Sequence, residues 1–185
     1  MMVMCHLSGY PEGMPSTEFS ERDWALWRAF TLMSRQLTST IEQRLRDDAG
    51  ISNPDFEILY ALSQQEGHQA RARDLGEMLT WEKSRISHQV KRMVERSLVE
   101  RTECETDLRG TWVALAPAGR EALEAALPGY RDQLRQSFTG LLDSSQAVSF
   151  AQSALKVIEA TDPQTCRVEI DRIERDVGVS SSLTN

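Results

Sequence analysis

WEKSRISHQVKRM, residues 81–93, places four Lys or Arg, two Ser and one His in a single stretch of a chain whose formal net charge is -7. Wound as a helix, this stretch separates into two faces. Ile86, Val90, Met93 and Val94 recur at i, i+4, i+7 and i+8 and are expected to face a core. Ser84, His88 and Lys91 fall opposite, flanked by Arg85, Ser87 and Arg92. Lys83 stands at the start of the helix, and Gln89 falls at the edge of the polar face. Donors of such varied reach suit the DNA major groove. Arg and Lys donate to guanine N7 and O6, Ser and His add hydrogen bonds, and Gln pairs with adenine N6 and N7. A solvated charged face has the same composition, so this segment alone does not decide between the two.

The flanking sequence tips the balance. From Arg71 to Arg101 there are eight Lys or Arg against five Asp or Glu, a local excess of +3, which leaves -10 for the remainder. A basic module on an acidic body is the electrostatic footprint of a local DNA reader. Arg71 and Arg73, at the start of a short helix over about 71–79, are placed to contact phosphates and set the docking register. After Arg96 the period changes. Leu98–Arg101 and Thr111–Leu115 are β-prone, and the polar TECETDLRG between them suits a hairpin tip. Arg109 near that tip can enter the narrow, negative minor groove, with Asp107 holding its guanidinium. Glu103 and Glu105 oppose phosphate, so the tip alone should go in.

Farther out, Ser20–Asp23 reads as a capping-box variant. Behind it Leu26, Phe30, Met33, Leu37, Ile41 and Leu45 stripe a long helix that ends near Gly50. Asn53 is expected as the next N-cap with Pro54 at the first helical position. Pro117 opens a further helix, which Pro128-Gly129 should kink or split. Asp143 then caps a last helix bearing Val148, Ala151, Leu155 and Ile158. The order predicts a mainly α (α+β) fold, a winged helix-turn-helix with N- and C-terminal dimerisation helices. Its expected parts are a flexible arm over 1–18, a dimerisation helix over 19–50 and a DNA-binding region over 51–116. C-terminal dimerisation helices over 117–161 and a polar tail over 162–185 complete it. The tail should fray, with CRVEIDRIERDV able to form a helical turn or two. The outer helices carry more apolar surface than so small a module can cover, and a second copy is the simplest cover.

On these residues the chain resembles the MarR family of bacterial transcription regulators (multiple antibiotic resistance regulators). The resemblance spans about Ser20 to Ala160. It is most specific in DLGEMLTWEKSRISHQVKRMVERSLVERTECETDLRGTWVALAPAGREAL, residues 74–123. It implies a homodimer that sets two recognition helices in successive major grooves of a pseudo-palindromic operator, with wings in the flanking minor grooves. Carried over by position, Ser84, Arg85, Ser87, His88, Gln89 and Arg92 become base or phosphate readers and Arg109 the wing arginine. It also implies release from DNA when a small, often aromatic or anionic, effector binds between the dimer helices and the reading head; a repressor is expected, with the sign of regulation left open by the residues themselves. Two positions depart from the family. Ser97 stands where Gly is usual, and a left-handed Ser is strained, so the helix end is expected to differ slightly. Ala116 replaces Thr, removing an N-cap hydroxyl.

The remaining features exclude more than they assign. Trp24 and Trp27 suit either an effector pocket or a dimer core. His88 has no second ligand at i+3 or i+4. Cys5, Cys104 and Cys166 are too scattered for a disulfide framework or a zinc site. Cys104 in the wing offers a redox-sensing alternative, although Glu103 and Glu105 disfavour its thiolate. There is no Gly-rich phosphate loop, nucleophile elbow or His-Glu-x-x-His, so neither an enzyme nor a cofactor is expected. The start, MMVMCHLSGYPEGMP, lacks a signal-peptide pattern, and no apolar run approaches the ~18 residues of a membrane helix. A cytoplasmic protein is expected. A winged-helix module for protein contacts remains the other non-enzyme reading.

Overall fold

The computed structural model describes residues 19–103, 111–161 and 167–178. The chain divides into two compact units between Gln36 and Leu37, inside helix α1 (Glu21–Ala49). In the N-terminal unit the expected capping box starts α1. Asp23 Oδ2 accepts from Ser20 N at 2.8 Å, and Ser20 Oγ accepts from Asp23 N at 3.2 Å. The hydrogen bonds from Ser20 hold the Asp23 carboxyl below its usual range.

The C-terminal unit contains the remaining elements. α1 ends at Gly50, whose φ of 64° allows Ile51 N to donate back to Leu45 O at 3.4 Å. α2 (Asn53–Ser63) follows. Its N-cap is Ser52 rather than the expected Asn53. Ser52 Oγ accepts from Asp55 N at 3.3 Å, and Asp55 Oδ2 accepts from Ser52 N at 2.9 Å. This reciprocal pair satisfies two backbone donors, which a cap at Asn53 would not.

A 3-10 turn (Glu66–His68) leads into β1 (Gln69–Arg71), α3 (Ala72–Leu79) and α4 (Lys83–Glu95). β2 (Val99–Glu103) and β3 (Thr111–Leu115) then form the expected hairpin, paired from Val99↔Leu115 to Glu103↔Thr111. β1 adds to the other edge of β3, pairing Gln69↔Ala114 to Arg71↔Trp112, so the antiparallel order is β1-β3-β2. This third strand was not expected: it is three residues long, and Ala70 is its single buried residue.

α5 (Pro117–Ser137) runs through Pro128 without being split. Proline removes one N–H, which deprives the Glu124 carbonyl of its helical partner. Glu124 is exposed, so water can replace it. As expected, no side chain caps α5 at Ala116. After a 3-10 turn (Thr139–Leu141), Asp143 caps α6 (Ser144–Thr161), accepting from Ser145 N at 2.8 Å and Gln146 N at 2.9 Å. The expected polar tail contains α7 (Arg167–Val177), which packs on α6 and buries Ile170. Ile170, Ile173 and Val177 give it an apolar side at helical spacing, which holds the segment in place of fraying.

One core joins α2, α3, α4 and the sheet. Ile58, Leu59, Leu62, Leu75, Val90 and Val113 are fully buried in it, with Leu45 from the end of α1 and Ala126 from α5. α5 comes close to the start of β2 because residue 119 is Gly: a Cβ there would collide with Leu98 O. Among the described residues no helix is long and apolar enough to cross a membrane.

Candidate nucleic-acid interface

The turn between α3 and α4 is made by Thr80, left-handed at φ 53°, with Trp81 N donating to Gly76 O at 2.9 Å. This sharp reversal delivers α4 onto the surface of the three-helix core. Ile86, Val90 and Met93 are buried beneath it, as their spacing predicted. Val94 is not part of that seat. It is 37% exposed and lies in an open groove with Ser97, Val99 and Pro117, at the edge where α4 gives way to the sheet and α5.

The end of α4 keeps the left-handed turn that Ser97 was expected to perturb. Ser97 adopts φ 57°, and Leu98 N donates to Met93 O at 2.9 Å. The backbone bond is retained, at the expense of a conformation that costs a non-glycine residue about 1–2 kcal/mol.

Lys83, Ser84, Arg85, Ser87, His88, Lys91 and Arg92 are all exposed on α4, brought onto one surface by the burial of the opposite side. Arg85 lies over the Trp81 ring, its Cζ 3.7 Å from the centroid. Arg73 on α3 is exposed and donates to Glu77 at 2.9 Å, a hydrogen bond that raises the pKa of its guanidinium. Arg71 is half-buried on β1, and its guanidinium lies 5.6 Å from the Trp112 ring across the β1–β3 pair. Asp107 and Arg109, the wing-tip pair, lie outside the described residues, as do Cys5, Cys104 and Cys166.

Gln89 corrects the helical-wheel reading. It is not at the edge of the outward face but 3% exposed on the inner side of α4. Its Nε2 donates to Asp55 Oδ1 at 2.6 Å, and its Oε1 accepts from Arg92 Nη2. A base cannot reach an amide buried this way, so Gln89 leaves the set of candidate readers. Asp55 itself escaped notice in the sequence, as did Arg96. Asp55 is 1% exposed, and its Oδ2 also accepts from Ser52 Oγ at 2.8 Å and from Arg96 Nη1 at 2.6 Å. Arg96 Nη2 donates in addition to Gly50 O at 2.8 Å. One buried carboxylate therefore fastens the start of α2 to Gln89 within α4 and to Arg96 at its C-cap, and Arg96 in turn reaches the α1–α2 corner at Gly50.

The aromatic pair on α1 is placed as follows. Trp24 stands edge-on to Phe19 with centroids 4.9 Å apart, Trp27 packs at 5.9 Å against Phe30, and both indoles are exposed.

A helix seated on an apolar core through one face, presenting cations and hydroxyls on the other, beside an antiparallel hairpin, defines a winged helix-turn-helix. The family model for MarR matches residues 51–111, from α2 through α4 and β2 to the first residue of β3. AbsC, a MarR family transcriptional regulator from Streptomyces coelicolor, is 31% identical, with 78% of this chain and 92% of that one covered and a TM-score of 0.66. Sco3205, a MarR family transcriptional regulator from the same organism solved in complex with DNA, is 26% identical over 78% of this chain and 90% of its own, with a TM-score of 0.75. The organohalide-sensing regulator RdhR-CbdbA1625, in its 2,4-dichlorophenol-bound form, shares the fold at 19% identity, with coverage of 84% and 90% and a TM-score of 0.72. No curated protein matches the chain. The chain belongs to the MarR family of transcriptional regulators.

Proposed function

We propose that this chain is a sequence-specific, double-stranded-DNA-binding repressor. It acts as a homodimer on a pseudo-palindromic operator and is released by a small-molecule effector. The observation that carries the reading is the outward surface of α4. Seven consecutive-turn side chains, all cationic or hydrogen-bonding, are exposed there above a fully buried apolar seat. In this reading Ser84, Arg85, Ser87 and His88, in the first half of the helix, meet base edges. Lys83, Lys91, Arg92, Arg71 and Arg73 meet phosphates, and Arg109 enters the minor groove. The DNA complex of Sco3205 supports it. The exposed apolar side chains of α1 and α6, among them Trp27, Phe30, Phe150 and Val157, support a second copy as their cover. Trp24 and Trp27 then belong to the dimer core or to an effector pocket beside it.

Selection of genomic fragments by the full chain tests this. Recovery of a short inverted repeat, bound by two protomers per site, is expected. Recovery of fragments without a common sequence would overturn the reading.

A further inference from the structure

The polar relay beneath α4 has a direction. Asp55 is buried, offers acceptors, and receives the Gln89 amide nitrogen at 2.6 Å. An amide carries its donors on one end and its acceptor on the other. With the NH2 end committed to Asp55, the oxygen of Gln89 must point the other way, where it accepts from Arg92 Nη2. A reversed amide would set its donors against the guanidinium and its oxygen against the carboxylate. Asp55 thus fixes the orientation of Gln89, and Gln89 fixes one edge of Arg92. The guanidinium has five N–H donors, and this contact uses one of them, which leaves a fork for a ligand. Arg92 lies in the last turn of α4, where side chains of a recognition helix face the sugar-phosphate backbone rather than base edges.

We propose that Asp55 and Gln89 are positioning residues for DNA binding. Through the chain Asp55–Gln89–Arg92 they hold the Arg92 guanidinium ready for a phosphate before DNA arrives. This rests on the DNA-binding function proposed above. Holding the side chain in advance spares part of its rotamer entropy on binding, worth about two- to tenfold in affinity.

The test uses the full chain and the duplex that its wild-type form selects. NMR of the Arg92 guanidinium in free protein is expected to show hindered rotation in the wild type and averaging in Gln89→Met. Gln89→Met should weaken DNA binding two- to tenfold, and Arg92→Ala should lower the slope of log affinity against log salt by about one. In the Arg92→Ala background, Gln89→Met should cost nothing further. An equal loss with and without Arg92 would mark a merely structural glutamine and overturn the relay. Free rotation of Arg92 in a wild-type chain that binds DNA overturns the relay and leaves DNA binding standing. Hindered rotation in a chain that binds no DNA overturns the DNA-binding function, and with it the role given to Arg92. The wild-type spectrum decides the relay even where Gln89→Met fails to fold.

Discussion

The guanidinium of Arg85 lies 3.7 Å above the ring of Trp81, four residues before it at the mouth of the helix-turn-helix. The indole is half-buried against the core, so the platform is fixed while the cation above it stays exposed. Such contacts are worth about 0.5–2 kcal/mol. Trp81→Ala is therefore expected to weaken binding to a selected duplex by roughly three- to thirtyfold, with Trp81→Phe retaining most of the affinity. Fluorescence anisotropy on an end-labelled duplex reads this directly. An unchanged affinity would show that Arg85 needs no platform.

Ser97 holds a left-handed backbone at φ 57° with its side chain exposed. Glycine relieves that strain, partly offset by its greater freedom in the unfolded chain. Ser97→Gly is expected to stabilise the fold by about 0.5–1 kcal/mol, raising the melting temperature by about 1–4 °C. A lower melting temperature would contradict the strain argument.

Gly119 is expected to behave in the opposite way. A Cβ at this position would collide with the Leu98 carbonyl and press on Leu59, neither of which can rotate aside freely. Gly119→Ala should cost about 1–3 kcal/mol and displace the start of α5 from β2. Urea titration should show a lower midpoint at an unchanged slope. A wild-type midpoint would mean that the helix–strand approach is looser than it stands here.

Glu57 on α2 is half-buried, and burial raises its carboxyl pKa above the usual glutamate range, against the Asn53 amide that donates to it at 2.6 Å. Because the folded-state value is raised, its contribution to stability is fully present below the unfolded value. That contribution is lost as pH rises through the folded one. Relative to Glu57→Gln, the wild type should therefore gain stability on acidification through the window just above the usual glutamate range. Paired thermal melts across about pH 4 to 7 check this, and a pH-independent difference would contradict it.

The sequence made the seat of α4 legible because Ile86, Val90 and Met93 mark a buried side by spacing alone. Gln89 lies three residues after Ile86 and four before Met93, so its inward position was encoded too. Its polarity disguised it: a buried amide needs partners, and Asp55 stands 34 residues away with no pattern in the sequence that ties the two together. The Ser52–Asp55 spacing repeats that of the Ser20–Asp23 cap, but Asn53-Pro54 between them offers a competing start. β1 escaped because three residues with one buried Ala show no alternation, and it becomes a strand only through pairing with β3. α7 was obscured by its charges. The apolar side of Ile170, Ile173 and Val177 matters only once α6 is there to receive it.

As proposed above, α4 reads a DNA sequence. The most direct test is the affinity of the full chain for a genomically selected duplex and for a scrambled one of equal length, each across a salt series. Binding to the selected duplex is expected to be at least about 10³-fold tighter, with both affinities falling steeply as salt rises. Equal affinity for the two duplexes, or an affinity that does not change with salt, would contradict it.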